Sequence, residues 1–222
     1  MTDPAADVEA FAPGVAPGRP ALAPYLRQLR PAIVGLALLT LITGGLYPAV
    51  IYGVGRLAFR DQADGSLVRQ GGAVVGSRLI GQPFARPGYF QPRPSAAGTG
   101  YDATQSSGTN LGPANPKLVG AVASAAEAYR KLNGLPANAP VPIDAATASG
   151  SGLDPHISPE NAELQVPRVA RTRGMSETAV RALVAANTEG PDLGFIGQPR
   201  VSVLALNFAL DCAAAPQKAI AR

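Results

Sequence analysis

The chain has 222 residues with 25 Gly, 22 Pro, a single cysteine and a net charge of +4. That glycine and proline content predicts a loop-rich domain and falls short of a disordered chain, while the lone Cys212 excludes an internal disulfide framework. The basic residues are scattered and aromatics are few, which excludes nucleic acid as a partner, because its footprint is a clustered basic patch.

Residues 1–24 are rich in Ala, Pro and Gly with repeated Ala-Pro pairs, a composition that buries little and predicts a disordered tail. Residues 25–55 follow as a membrane anchor. Tyr25, Arg27 and Arg30 suit the headgroup layer as an interfacial lead-in. No charged residue then lies between Arg30 and Arg56. A helix of that length, at roughly 1.5 Å per residue, crosses a hydrocarbon core of about 30 Å. Lipid cannot hydrogen-bond an open backbone, so the run is best satisfied as a transmembrane helix. A cleaved signal peptide is the alternative. Against it, the apolar run is too long for a signal core, and Arg56-Leu57-Ala58-Phe59-Arg60 provides no small-x-small cleavage site.

Within the anchor, Gly45, Ala49 and Gly53 are spaced i, i+4, i+8 and share one face. Small residues at that spacing let a second helix approach closely. Pro48 cannot donate to the carbonyl of Gly44, so a kink is predicted there, with Gly44 and Gly45 leaving room for it. The face is expected to dock on another membrane protein; the alternative is a lipid-facing anchor. Charge does not orient the helix, because Arg19, Arg27 and Arg30 at one end balance Arg56, Arg60 and Arg69 at the other.

Residues 56–211 are expected to form one small α+β domain, and 212–222 a C-terminal tail. Val74 to Phe84 predicts a short strand, and 85–115, dense in Gly, Pro, Ser and Asn, a long irregular loop. Asn115-Pro116 is a helix start. Leu118, Val122, Ala125, Tyr129 and Leu132 then make an apolar stripe that Asn133-Gly134 stops. Val141, Ile143, Ala145 and Thr147 alternate as a weak strand. Ser158-Pro159 opens a second helix that Pro167 is expected to kink or interrupt, and Ser176 opens a third, with Gly190 near its end. The clearest predicted strand is Val201 to Asp211, where Leu204, Leu206, Phe208 and Leu210 recur with period two.

The catalytic signals are weak. His156 is the only histidine, and Ser149, Ser151, Asp154 and Ser158 lie near it in sequence, which invites a Ser-His-Asp reading. No Gly-x-Ser-x-Gly elbow accompanies them, and turn and cap chemistry accounts for Asp154-Pro155 and Ser158-Pro159. One His and one Cys cannot supply a zinc ligand set. Gly71-Gly72 and Gly150-Ser151-Gly152 are read as turns, and there is no phosphate-binding loop. The residues thus describe an anchored domain without catalytic or metal-binding residues, acting through a membrane partner.

Ile42-Thr43-Gly44-Gly45-Leu46-Tyr47-Pro48 resembles the signature of the C subunit of the Kdp potassium-transporting ATPase. The resemblance continues in order through Gly76 to Phe84, Tyr89-Phe90 with Arg93-Pro94-Ser95-Ala96, Ser107 to Pro113, Ser149 to Pro159, Gln165 to Ala170 and Ile196 to Asp211. It covers roughly residues 29–211. The N-terminal tail is longer than the family's, and Ser106-Ser107-Gly108-Thr109 stands where a Ser-Gly-Gly-Ser-like run is expected.

The resemblance implies a bacterial inner-membrane complex with a channel-like A subunit, a P-type B subunit that hydrolyses ATP and a small F peptide. It implies an N-terminus inside, an extracytoplasmic main domain, and no cofactor on this subunit, ATP, magnesium and potassium belonging to the partners. The family is also described as a catalytic chaperone that raises the B subunit's ATP affinity through a glutamine nucleotide contact. That contact carries onto Gln165, which the residues alone read as a packed polar group beside a helix break. The competing readings are a membrane-tethered extracytoplasmic hydrolase using His156 and a scaffold of another envelope complex.

Overall fold

A computed structural model describes residues 22–220 of the chain, with side chains from 26 to 213. The chain divides into two compact units, with the boundary between Phe59 and Arg60.

Among the described residues, the first unit is one long helix in three parts. Helix α1 (Leu22–Leu41) leads into a π-helical turn (Ile42–Leu46), and α2 (Tyr47–Ala58) completes it. The stretch Leu26–Ala58, 33 residues with mean hydropathy 1.9, is long and apolar enough to cross a membrane. At about 1.5 Å per residue it exceeds a ~30 Å hydrocarbon core. The disturbance expected at Pro48 takes the form of the π turn. Tyr47 N–H reaches back to Ile42 O, five residues instead of four. The wider turn relieves the crowding of a proline ring against the preceding carbonyl. Pro31 sits inside α1 without ending it. Of the predicted tail, residues 1–24, only Leu22–Pro24 fall among the described residues, and they are already helical.

The second unit is mixed α and β. It opens with a short helix α3 (Arg60–Ala63) and an antiparallel hairpin, β1 (Leu67–Gln70) and β2 (Ala73–Ser77). Gly71 and Gly72 link the strands with φ of 59° and 85°. A two-residue hairpin loop with both residues left-handed matches the strands' twist, and glycine adopts it without steric cost. The strand expected over Val74–Phe84 therefore stops at Ser77. Gly81 N–H donates instead to Leu153 O at 2.8 Å.

Residues 78–115 then run without a strand or helix. Helix α4 (Pro116–Asn133) begins where Asn115 Oδ1 accepts from Lys117 N–H, and Gly134 ends it. The weak strand expected at Val141–Thr147 is instead a single helical turn, α5 (Ile143–Ala146). Its alternation misleads because burial does not follow it: Ile143 is 78% exposed, while Asp144 and Ala145 are both buried. Strand β3 (His156–Ile157) precedes α6 (Pro159–Arg173), capped by Ser158 and running through Pro167 without a break. Helix α7 (Glu177–Ala186) is capped by Ser176 and ends before the predicted Gly190, at Asn187. Strands β4 (Thr188–Glu189) and β5 (Arg200–Ser202) complete a three-stranded antiparallel sheet in the order β3-β5-β4.

The strand predicted over Val201–Asp211 survives only at its start. From Val203 the chain is helix α8 (Val203–Ile220), which also carries the helix across the predicted tail boundary at 212. The least exposed side chains are Val203, Leu206, Asn207 and Leu210, with Leu204 beside them, and the first four have the i, i+3, i+4, i+7 spacing of a helix face. With Asn207 read as an outward polar residue, the same letters look like period two. The core joins α6, α7, α8 and β5 through Val166, Val169, Val180, Val201, Leu206 and Leu210, with Phe90 inserted from the irregular segment.

Candidate functional site

The irregular segment is held by side-chain amides rather than by a strand partner. Asn207 Oδ1 accepts from Phe90 N–H at 2.8 Å, and Asn207 Nδ2 donates to Phe90 O at 3.0 Å. One residue on, Gln165 Oε1 accepts from Gln91 N–H at 2.7 Å and Gln165 Nε2 donates to Gln91 O at 3.1 Å. Each amide mimics one rung of a β-ladder. Helices α6 and α8 thereby satisfy buried backbone that no strand reaches.

Gln165 is 0% exposed, and its remaining valences are also taken. Nε2 donates to Asn161 Oδ1 at 2.9 Å, and Oε1 accepts from Arg168 Nη2 at 2.7 Å. Asn161 joins Asp144, which also accepts from the Ser158 backbone N–H and hydroxyl. The Tyr129 hydroxyl bonds Asn161 Oδ1 at 2.9 Å. Burial pushes the Tyr129 hydroxyl's pKa up, and the nearby Asp144 adds to that rise. Arg168 is buried and donates to Asn133 Oδ1, Tyr89 O, Pro87 O and Gln165 Oε1, all neutral acceptors. Burial pulls its guanidinium pKa below the ordinary value.

His156 sits on β3 beside Asp154, with Nδ1 3.5 Å from Asp154 Oδ1. Asp154 also accepts from Arg93 at 2.9 Å and from the His156 backbone N–H at 3.0 Å. Burial pushes the Asp154 carboxyl up, but the hydrogen bonds from His156 and the charge of Arg93 outweigh it and hold the carboxyl below its usual range. The sequence-adjacent serines face elsewhere. Ser158 Oγ donates to Asp144, and Ser149 Oγ lies against Ser151 Oγ at 3.4 Å. The Gly150–Gly152 turn packs on the irregular segment: a Cβ on Gly152, where φ is 67°, would lie 2.6 Å from Ser107 O. That close approach needs glycine.

An apolar groove of about 720 Å³ is lined by Pro140, Pro142, Pro159, Leu164, Val184 and Ala185, with Glu160, Glu163 and Arg181 at its polar edge. Arg181 there is already held by Glu163 at 2.5 Å and Glu177 at 2.8 Å, so the edge is no ready cradle for phosphate. Among the described residues no cluster of three or more His, Cys, Asp or Glu is placed to hold a metal ion.

On the first unit, Gly44, Gly45, Pro48 and Ala49 are exposed and Gly53 is half-exposed. A Cβ added at Gly44 or Gly53 meets nothing within 4 Å, and at Gly45 only Leu41 Cδ1 at 3.6 Å. The helix's own fold does not require these glycines. This face belongs to the first unit and Gln165 to the second. The amide rungs of Asn207 and Gln165 were missed in the sequence. For Asn207 the one legible signal is a polar residue on an otherwise apolar helix face; Gln165 shares its buried face with Asn161 and Arg168.

The chain matches, over residues 29–212, the family described as KdpC: K+-transporting ATPase, c chain. It is 55% identical over 185 residues to the potassium-transporting ATPase KdpC subunit of Mycobacterium tuberculosis (strain ATCC 25618 / H37Rv), covering 83% of this chain and 98% of that one. It is 56% identical over 186 residues to the KdpC subunit of Beijerinckia indica, covering 84% and 94%. The KdpC subunit of Caulobacter vibrioides (strain NA1000 / CB15N) is 55% identical over 187 residues, covering 84% and 93%.

Proposed function

The chain belongs to the KdpC family, the c chains of K+-transporting ATPases, and on that premise we propose that it is the non-catalytic subunit that stabilises the potassium pump's assembly. In this reading its partners are the channel-like A subunit, the ATP-hydrolysing B subunit and the F peptide. It sits in the bacterial inner membrane with its N-terminus inside and its main domain outside. ATP, magnesium and potassium are handled by the partners. One observation carries the reading: the buried polar network around Gln165 is spent within the domain. Gln165 has no polar atom left for a ligand, whereas the exposed surface of the helix is apolar.

A rise in the ATP affinity of the B subunit then comes from coupling through the assembly, not from a contact between Gln165 and nucleotide. Binding energy that differs between two states of the pump is sufficient for that effect. In this reading the hydrogen-bonded network around α6 carries such a bias through the domain. The experiment compares the partner subunits purified with and without this chain. Loss of assembly, or a higher ATP concentration for half-maximal turnover, is expected without it. His156→Ala in the complete complex is expected to keep turnover. Partners that assemble and bind ATP equally well without the chain would refute the proposal. A collapse of turnover in an intact His156→Ala complex would instead favour the hydrolase reading.

A further inference from the structure

Between β4 and β5 the chain makes a turn whose sequence is Gly190-Pro191-Asp192-Leu193-Gly194-Phe195-Ile196-Gly197. It is tightly built. Asp192 N–H donates to Ile196 O at 2.8 Å and Ile196 N–H donates to Asp192 O at 2.9 Å, forming an isolated antiparallel bridge. Gly194 N–H closes onto Pro191 O at 3.1 Å. Arg200 braces the base, reaching Glu189 at 3.0 Å and Asp192 at 3.3 Å.

This rigid turn holds apolar side chains in water. Leu193 is 83% exposed, Phe195 77% and Ile196 50%. Leu193 also has φ of 53°, a left-handed backbone that Asn or Gly adopts more readily than leucine. The domain therefore accepts a strained backbone and an unburied leucine at one residue, with no return from its own packing. Strain that folding does not explain points to a contact made outside the chain.

We propose that the Leu193–Ile196 turn is a docking knob that enters an apolar recess with a basic rim on another subunit of the same ATPase complex, an inference that rests on the subunit reading above. Three side chains fall well short of the ~800 Å² per partner of a free-standing interface, which argues against a second copy of this chain. A knob this small is effective where other contacts already hold the partner close, because the second contact is then intramolecular. A lipid surface is the poorer match. Phe and Leu do enter an acyl boundary, but membrane-binding segments pair them with Lys and Arg against anionic headgroups, whereas this turn carries Glu189 and Asp192 around the single Arg200. The carboxylates of Glu189 and Asp192 outnumber Arg200, so the rim is net negative and complements a basic partner.

The test uses the full chain and the purified complex. Leu193→Asn combined with Phe195→Ser removes the knob while relieving the backbone. The variant chain alone is expected to melt at or above the wild-type temperature. Its retention in the complex after gel filtration is expected to fall about tenfold or more, the scale of an interface hot spot. Retention equal to wild type overturns the proposal. A photo-crosslinking phenylalanine analogue at position 195 of the complex is expected to label an identified partner subunit. Labelling confined to lipid or to a second copy overturns it. If the wild-type chain itself fails to co-purify with ATPase subunits, the subunit reading falls and the knob with it. If wild type and variant both co-purify, the knob alone is refuted.

Discussion

Gln165 shows what a single buried amide does in this domain. It supplies both halves of a backbone rung to Gln91 and ties Asn161 to Arg168. Gln165→Leu would leave the half-buried Gln91 N–H and C=O without these partners and remove an acceptor from the buried Arg168 guanidinium. Each orphaned buried group costs about 1–3 kcal/mol, so a loss of roughly 2–4 kcal/mol is expected. It should appear in thermal unfolding of the isolated chain, with neither nucleotide nor partner present. If Gln165→Leu leaves unfolding unchanged and yet weakens ATP binding by the assembled pump, the glutamine touches nucleotide after all.

At the scale of elements, the membrane helix and α8 teach opposite lessons. The apolar run after Arg30 is uniform enough that no alternative fold competes with a helix, and the proline adds only a π turn. Gly45→Leu or Ala49→Leu adds bulk at exposed positions, where a Cβ on Gly45 meets only Leu41 Cδ1. Membrane insertion is expected to persist, while co-purification with the ATPase subunits weakens. Bulky variants that co-purify as well as wild type would place this face against lipid. In α8, by contrast, Asn207 points inward because Phe90 needs its amide. One inward polar residue was enough to disguise a helical period as a strand's.

For the whole molecule, net charge bears on whether the domain gathers potassium. The excess of +4 lies wholly after the anchor, because the acidic and basic residues before it balance. Asp61 and Asp64, the close acidic pair just past the helix, already face arginines: Asp61 bonds Arg78, and Asp64 lies 3.9 Å from Arg60. Such exposed pairs are worth under ~1 kcal/mol and are screened beyond about 8–10 Å. Neutralising both aspartates is expected to leave the potassium concentration for half-maximal ATPase activity within about twofold. A tenfold rise in an intact complex would show that the domain concentrates the ion.

Much of the organisation was determined locally. The long apolar helix follows from the cost of exposing backbone to lipid. The starts of α4, α6 and α7 at Asn115, Ser158 and Ser176 follow from cap side chains that satisfy their own helix's N–H groups. Such interactions span a few residues, so the sequence by itself determines them. The tertiary structure alone decided the rest. Asp144 is buried because Ser158 and Asn161 come to it from α6. The segment around Phe90 is ordered because Gln165 and Asn207 approach it from two helices distant in sequence. Leu193 is conspicuous only once its backbone is known to be left-handed and its side chain unburied. A polar residue's partner across 74 or 117 positions leaves no periodicity to read, because it is set by packing and not by the neighbours along the chain.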